Sequence, residues 1–323
     1  MNPTLSAVAA ALLALTPALA AAQAIVNFPS KVIRLIVPLA PGGTGDTLAR
    51  TVGEEMGRIL GTNVVVDNRP GAGGLIGTQT VATAAPDGYT LINVSPSHVI
   101  NPALYTGKTY DPIKDFEAVF HIANTYQIIV AHPSLPAKNL KELIALAKAS
   151  PGKLSYGSAG TGSATHLNME LFKQMAGVDI VHVPYKGSTP SRMDTVGGQI
   201  QLSMDGLLPV LPFIKDGRLR PLGLTSSKRS QVAPDIPTIG ESVPGYATDT
   251  WYGILAPAKT PKAIIATLHG AAQKAIDTPA TAARLKQLGT DPVGGTSEQF
   301  AKLVASEAKL WAKVVKVSGA KVN

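Results

Sequence analysis

Ile33-Arg34-Leu35-Ile36-Val37 is a short β-branched run that breaks at Pro38-Leu39-Ala40-Pro41-Gly42-Gly43-Thr44-Gly45-Asp46. Apolar residues then recur at Leu48, Val52, Met56, Ile59 and Leu60. The first run has strand composition, and the spacing of three and four in the second predicts a helix over 47–60. The stretch therefore predicts a β-loop-α unit with glycines where the strand ends.

The plan repeats at once. A strand over 63–67 leads into Asn68-Arg69-Pro70-Gly71-Ala72-Gly73-Gly74, then a helix over 75–84, then a strand over 89–94 that ends in Ser95-Pro96-Ser97. Consecutive β-α-β units predict a parallel sheet covered by helices, with ligands at the carboxyl ends of its strands.

Two apolar segments, 118–123 and 127–131, carry the chain onward, and the alternation resumes. Helices are predicted over 140–149, 164–176, 190–197 and 208–216, and strands over 153–158, 179–183, 199–204 and 219–224. The chain returns through Thr250-Trp251-Tyr252-Gly253-Ile254-Leu255, and helices over 261–277, 279–288 and 297–317 pack back on the first unit. This is an α/β protein of two domains, 25–125 plus 248–323 and 126–247, joined by two crossing strands that can hinge.

Composition narrows the function. The chain has 323 residues, no cysteine, and 29 Lys plus Arg against 21 Asp plus Glu. Zero cysteines exclude disulfides, thiol nucleophiles and Cys-ligated metals. The surplus of eight positive charges suits anionic ligands or simple surface solvation. Without a basic run of five or more, and with 5% aromatic residues, nucleic-acid binding has little support.

Residues 5–22, LSAVAAALLALTPALAAA, are apolar, are broken by Pro17 and end in alternating alanines. That is the pattern of an export signal, predicted over 1–24, although no Lys or Arg precedes it. The expectation is an exported, soluble, periplasmic protein.

Catalytic and cofactor motifs fail one by one. Asp46 stands where a phosphate-binding loop needs lysine, and Ile76 stands where a dinucleotide fingerprint needs its third glycine. Tyr156 replaces the first glycine of a hydrolase elbow around Ser158. The six histidines, His98, His121, His132, His166, His182 and His269, are scattered without metal-binding spacing. No catalytic residue, metal or cofactor is expected.

What remains are two small-residue loops before helix starts, Gly42-Gly43-Thr44 and Ser158-Ala159-Gly160-Thr161-Gly162-Ser163. Helix starts offer unpaired N–H groups and a partial positive charge, which suit a carboxylate. Read singly, each loop is equally a tight turn with a helix cap. One in each domain points to a shared cleft.

At these residues the sequence closely resembles the substrate-binding proteins of tripartite tricarboxylate transporters, the Bug family. The resemblance runs through Ala40-Pro41-Gly42-Gly43, Val66-Asp67-Asn68-Arg69-Pro70-Gly71-Ala72-Gly73-Gly74 and Ala85-Pro86-Asp87-Gly88-Tyr89-Thr90-Leu91. It continues through Tyr156-Gly157-Ser158-Ala159-Gly160 and Val181-His182-Val183-Pro184-Tyr185-Lys186-Gly187 to Pro292-Val293-Gly294-Gly295-Thr296. It implies a two-lobed periplasmic-binding-protein fold of the Venus flytrap, type II-like, closing on a small organic acid. By that resemblance Ala40, Gly43, Thr44 and Asp46 hold the ligand from the first loop. Ser158, Ala159, Gly162, Ser163 and His166 hold it from the second, and Ser95, Ser97, Tyr185, Lys186 and Asp205 line the middle. The family often places its acid directly after the hydroxyl residue, whereas Gly45 intervenes here.

The resemblance implies a monomer that delivers its ligand to membrane transporter subunits. The alternative is a ligand-sensing partner of a membrane histidine kinase, and behind both stands a periplasmic hydrolase.

Overall fold

The computed structural model describes residues 28–39, 41–105, 107, 109–185 and 187–318. The leader expected over 1–24, Ala40 and Lys186 lie outside the described residues. From β1 (Ile33–Val37) the chain passes through α1 (Thr44–Leu60), β2 (Val64–Asn68), α2 (Leu75–Ala82), β3 (Thr90–Val94), α3 (Ser97–Leu104) and β4 (Phe116–Thr125). It then builds β5 (Gln127–Ala131), α4 (Leu140–Ala149), β6 (Ser155–Ser158), α5 (Ala164–Ala176), β7 (Val181–Pro184) and α6 (Ser188–Val196). After β8 (Leu202–Gly206), α7 (Leu207–Lys215) and β9 (Arg220–Leu224), it returns as β10 (Thr250–Pro257), α8 (Lys262–Asp277), α9 (Pro279–Gln287), β11 (Asp291–Pro292) and α10 (Ser297–Ser318).

Two sheets result, ordered β11-β4-β10-β3-β1-β2 and β7-β6-β8-β5-β9. The β-α-β units were expected to form parallel sheet, and three strands of each sheet do so: β2-β1-β3 and β7-β6-β8. The strands that connect the sheets do not. β10 runs antiparallel to both β3 and β4, because β4 leaves the first sheet while β10 re-enters it. A single residue, Tyr126, separates β4 in one sheet from β5 in the other.

The periodicity that predicts α1 also packs it. Leu48, Val52 and Met56 are fully buried with Ile33 and Leu35, and α8 closes over them through Leu268 and Ala272. Gly61 ends the helix in the left-handed region at φ 67°, where glycine is free of Cβ strain. In α4, Asn139 caps the helix by accepting from the Glu142 N–H.

The antiparallel crossing is braced from behind by α10, which packs on α3, β4 and α5 and so touches both lobes. Both tryptophans meet there. Trp251 of β10 and Trp311 of α10 each donate the indole N–H to one oxygen of buried Glu307, at 3.3 and 2.7 Å.

α3 is a helix that the sequence reading did not predict, since it contains Pro102. A proline there removes the bond to the His98 carbonyl, and the Tyr110 hydroxyl donates to that carbonyl instead, at 2.8 Å.

Candidate ligand cleft

The first loop enters α1 through Gly43, an extended N-cap without a side-chain cap bond. Its shape is fixed from inside the helix. The Asp46 carboxylate accepts from the Gly42 N–H at 2.9 Å, from Asn68 Nδ2 at 2.9 Å and from Arg50 Nε at 3.1 Å. Burial raises the Asp46 pKa, but Arg50, the Gly42 N–H and Asn68 outweigh it and hold the group below its ordinary value. Gly42 takes φ 83°, a turn that suits glycine. Gly45, the extra residue before the acid, leaves room for a ring: a Cβ there would stand 3.2 Å from Tyr252 Cε1. The Thr44 N–H has no partner among the described residues, while the Gly45 carbonyl accepts from Asn93 Nδ2 at 2.8 Å.

The second loop joins β6 to α5 and is held largely by its own hydroxyls. Ser163 caps α5 by accepting from the His166 N–H, and its Oγ donates to the Gly160 carbonyl at 2.7 Å. Thr165 Oγ1 accepts the Ala159 N–H, and Ser158 Oγ accepts the Gly160 N–H. The Gly162 N–H donates to His166 Nδ1 at 3.1 Å, which requires a neutral ring there. Ala164 in the first turn of α5 and Thr161 ahead of its cap keep N–H groups without partners among the described residues.

Behind this loop stand stacked rings. His166 lies 4.1 Å from His182, which lies 4.9 Å from Tyr156. Burial holds both histidines below their ordinary value, His182 to about 4 with His166 adding to the effect. Ser158 Oγ and His182 Nε2 share a hydrogen bond of 2.7 Å.

Between the sheets, where the two loops approach the crossing strands, lies a cavity of about 440 Å³. Ser95 and Ser97, whose hydroxyls are 3.1 Å apart, line it on the first lobe, and Thr161, Gly162 and Ser163 line it on the second. Gln127, Thr250 and Tyr252 contribute from the crossing strands, and Leu39, Ile100, Leu104 and Tyr105 give an apolar wall. No charged side chain lines it among the described residues. Another cavity of about 350 Å³, between α8 and α10, is bordered by Lys262, His269 and Glu298 and lies away from both loops.

Of the residues expected at the site, Ser95, Ser97, Gly162 and Ser163 border the cavity. Thr44 stands beside Tyr252, whose hydroxyl burial pushes up to about 12 with Thr44 opposing the shift. Ser158, Ala159 and His166 stand behind the second loop and hold it, while Gly43 and Asp46 shape the first. Tyr185 donates to Asp194 at 2.7 Å. Asp205 is clamped by Arg192 through two bonds, at 2.7 and 3.2 Å, with burial pushing its pKa up against that clamp.

Gln127, Thr250, Tyr252 and, on α3, Ile100, Asn101 and Leu104 were not singled out in the sequence. A signal existed for two of them. Alternation along β10 puts Thr250 and Tyr252 on the face opposite Trp251, and Trp251 is fully buried toward α10.

Residues 48–320 match the family described as Tripartite tricarboxylate transporter family receptor. The chain belongs to this receptor family. Protein BugT of Bordetella pertussis is similar to this receptor, with 35% identity over 311 residues that cover 95% of each chain. Among solved structures, Rpa4515 of R. palustris with adipate is 36% identical with a TM-score of 0.76, covering 90% of this receptor and 98% of that chain. MatC (Rpa3494) of Rhodopseudomonas palustris with bound malate is 33% identical with a TM-score of 0.73, covering 89% and 100%. The fold class is thus that of the family's solute receptors: two α/β lobes with a cleft between them. No helix among the described residues is long and apolar enough to cross a membrane.

Proposed function

We propose that this receptor captures a small carboxylate between its lobes in the periplasm and presents it, as a monomer, to the membrane subunits of a tripartite tricarboxylate transporter. The lobes are 25–125 plus 248–323 and 126–247, and the leader over 1–24 is removed on export.

One observation carries the reading: a cavity between the two sheets, bordered by hydroxyls, amides and helix-start N–H groups and by no charged side chain among the described residues. Neutral, oriented donors take up a carboxylate without requiring a cation in the site. Adipate and malate in the two similar structures support a carboxylate ligand.

Binding without catalysis is the better reading of the Ser158 and His182 pair. Ser158 is 0% exposed, so no substrate reaches its hydroxyl. His182, held near pKa 4, is a weak base at neutral pH. Neither residue borders the cavity.

A thermal-shift screen against organic acids tests the proposal. A true ligand at 100 times its dissociation constant stabilises the folded state by about 2.7 kcal/mol. An absence of any shift across mono-, di- and tricarboxylates would sink it. Mass spectrometry of periplasmic protein tests the export, with an N-terminus expected between Ala21 and Ile25.

A further inference from the structure

The cavity is not uniform along its length. Four residues of α3 line it, Ser97, Ile100, Asn101 and Leu104. Their spacings of three, one and three place them on one helix face. That face rises about 10 Å from Ser97 to Leu104, of which Ile100 to Leu104 is about 6 Å. It begins with a hydroxyl and ends in aliphatic carbon. The one amide on it spends one N–H elsewhere, since Asn101 Nδ2 donates to the Gly73 carbonyl at 3.1 Å.

The other walls carry both kinds of residue. Ser95, Ser163 and Thr250 border the cavity together with Gln127. Gln127 Oε1 accepts from Asn168 Nδ2 at 2.7 Å, which leaves its own amide nitrogen as a donor. Leu39 and Tyr105 add apolar surface to the lining. Leu39 is 38% exposed on the first loop, an apolar side chain bordering the cavity without full cover.

From this gradient we infer that the ligand carries its carboxylate on an apolar body, an aromatic ring or a chain of about four or more methylenes. Compact hydroxylated polycarboxylates are disfavoured. The inference rests on the carboxylate-receptor reading above and narrows it. One carboxylate meets the hydroxyl and N–H end. The body lies along Ile100 and Leu104 and covers Leu39. A second or third charged group packed into that short apolar stretch would lose more water contacts than it gains donors.

Calorimetry on the full mature protein decides the matter, with hexanoate, benzoate, malate and citrate as probes. The expected result is that hexanoate or benzoate binds at least about ten-fold more tightly than malate and citrate. In Leu39→Asn, with circular dichroism unchanged, that preference shrinks about ten-fold. Tighter binding of malate or citrate than of both apolar acids overturns the inference and leaves the carboxylate reading standing. An apolar preference that Leu39→Asn leaves untouched overturns the assignment of this wall. Failure of all four acids to bind overturns the carboxylate reading as well.

Discussion

The imidazole ring of His166 stacks on that of His182 with centroids 4.1 Å apart and planes inclined by 25°. Two imidazolium rings cannot share that spacing without strong repulsion, and the Gly162 N–H needs His166 Nδ1 as an acceptor. The second loop therefore depends on both rings being neutral. Tyr156, Glu170 and Lys173 complete the surroundings: Glu170 accepts from Tyr156 and from Lys173, so its charge is already balanced.

A pH dependence follows. The folded-state pKa of His182 is about 4 against an ordinary 6.5, so between those values the unfolded chain binds more protons than the folded one. The stability from this pair is complete above pH 6.5 and is lost as pH falls toward 4. Thermal melts from pH 7.5 to 4 are expected to show a steeper decline for the natural protein than for His182→Asn. Some slope persists in the variant, because burial also holds His98 down to about 4. Parallel declines would show that the stacked pair contributes nothing.

The two loops call for different variants. Ser163→Ala removes a helix cap and the bond to the Gly160 carbonyl, so stability falls by about 1 kcal/mol, measured by urea denaturation. Gly43→Val leaves the fold intact, because Gly43 is already extended, but its branched side chain obstructs the approach to the Thr44 N–H, so calorimetry is expected to show the larger loss of ligand affinity. Equal affinity in Gly43→Val and the natural protein would place the carboxylate away from the first loop.

Asp205 is anchored by Arg192 in a buried bidentate pair. Arg192→Met strands a buried carboxylate and is expected to cost about 3 to 5 kcal/mol, whereas Arg192→Met with Asp205→Leu recovers most of it. Chemical denaturation of the single and double variants measures the difference. A ligand role for Asp205 would appear as lost affinity in a folded double variant.

Gly253 lies where β10 and β4 shift register. A methyl group there would collide with the Phe300 ring and stand 2.7 Å from the Phe120 carbonyl oxygen, which as backbone has nowhere to move. Gly253→Ala is expected to destabilise by about 1 to 3 kcal/mol or more in thermal unfolding. Little change would mean that the crossing strands flex more easily than their packing implies.

The alternation of strands and helices was legible because each unit is locally consistent. α4 at Leu140–Ala149 and α5 at Ala164–Ala176 fall on the predicted bounds, and β5 fills the apolar segment read at Gln127–Ala131, each with an apolar run or periodicity and a clear breaker beside it. α3 was hidden because Pro102 argues against a helix. What permits it, the Tyr110 hydroxyl on the His98 carbonyl, is a contact across twelve residues that local pattern does not show. The glycine-rich loops pointed to the cleft, but not to which of their groups face it. Asp46 and His166 carry the chemistry of ligand residues in sequence, and in the fold their polar atoms are directed to Gly42 and Gly162. Gln127 and Thr250 went unnoticed, since in a strand a residue facing a cleft and one facing a core follow the same period of two.

Both indoles of the protein are hydrogen-bonded to one carboxyl group, with Trp251 on the strand that returns between the lobes and Trp311 on the helix behind it. Both native fluorophores therefore report on one point, the contact of the returning strand with α10. A shift of that strand against the helix would change the surroundings of both indoles at once, and with them the colour of the ultraviolet emission, without a label.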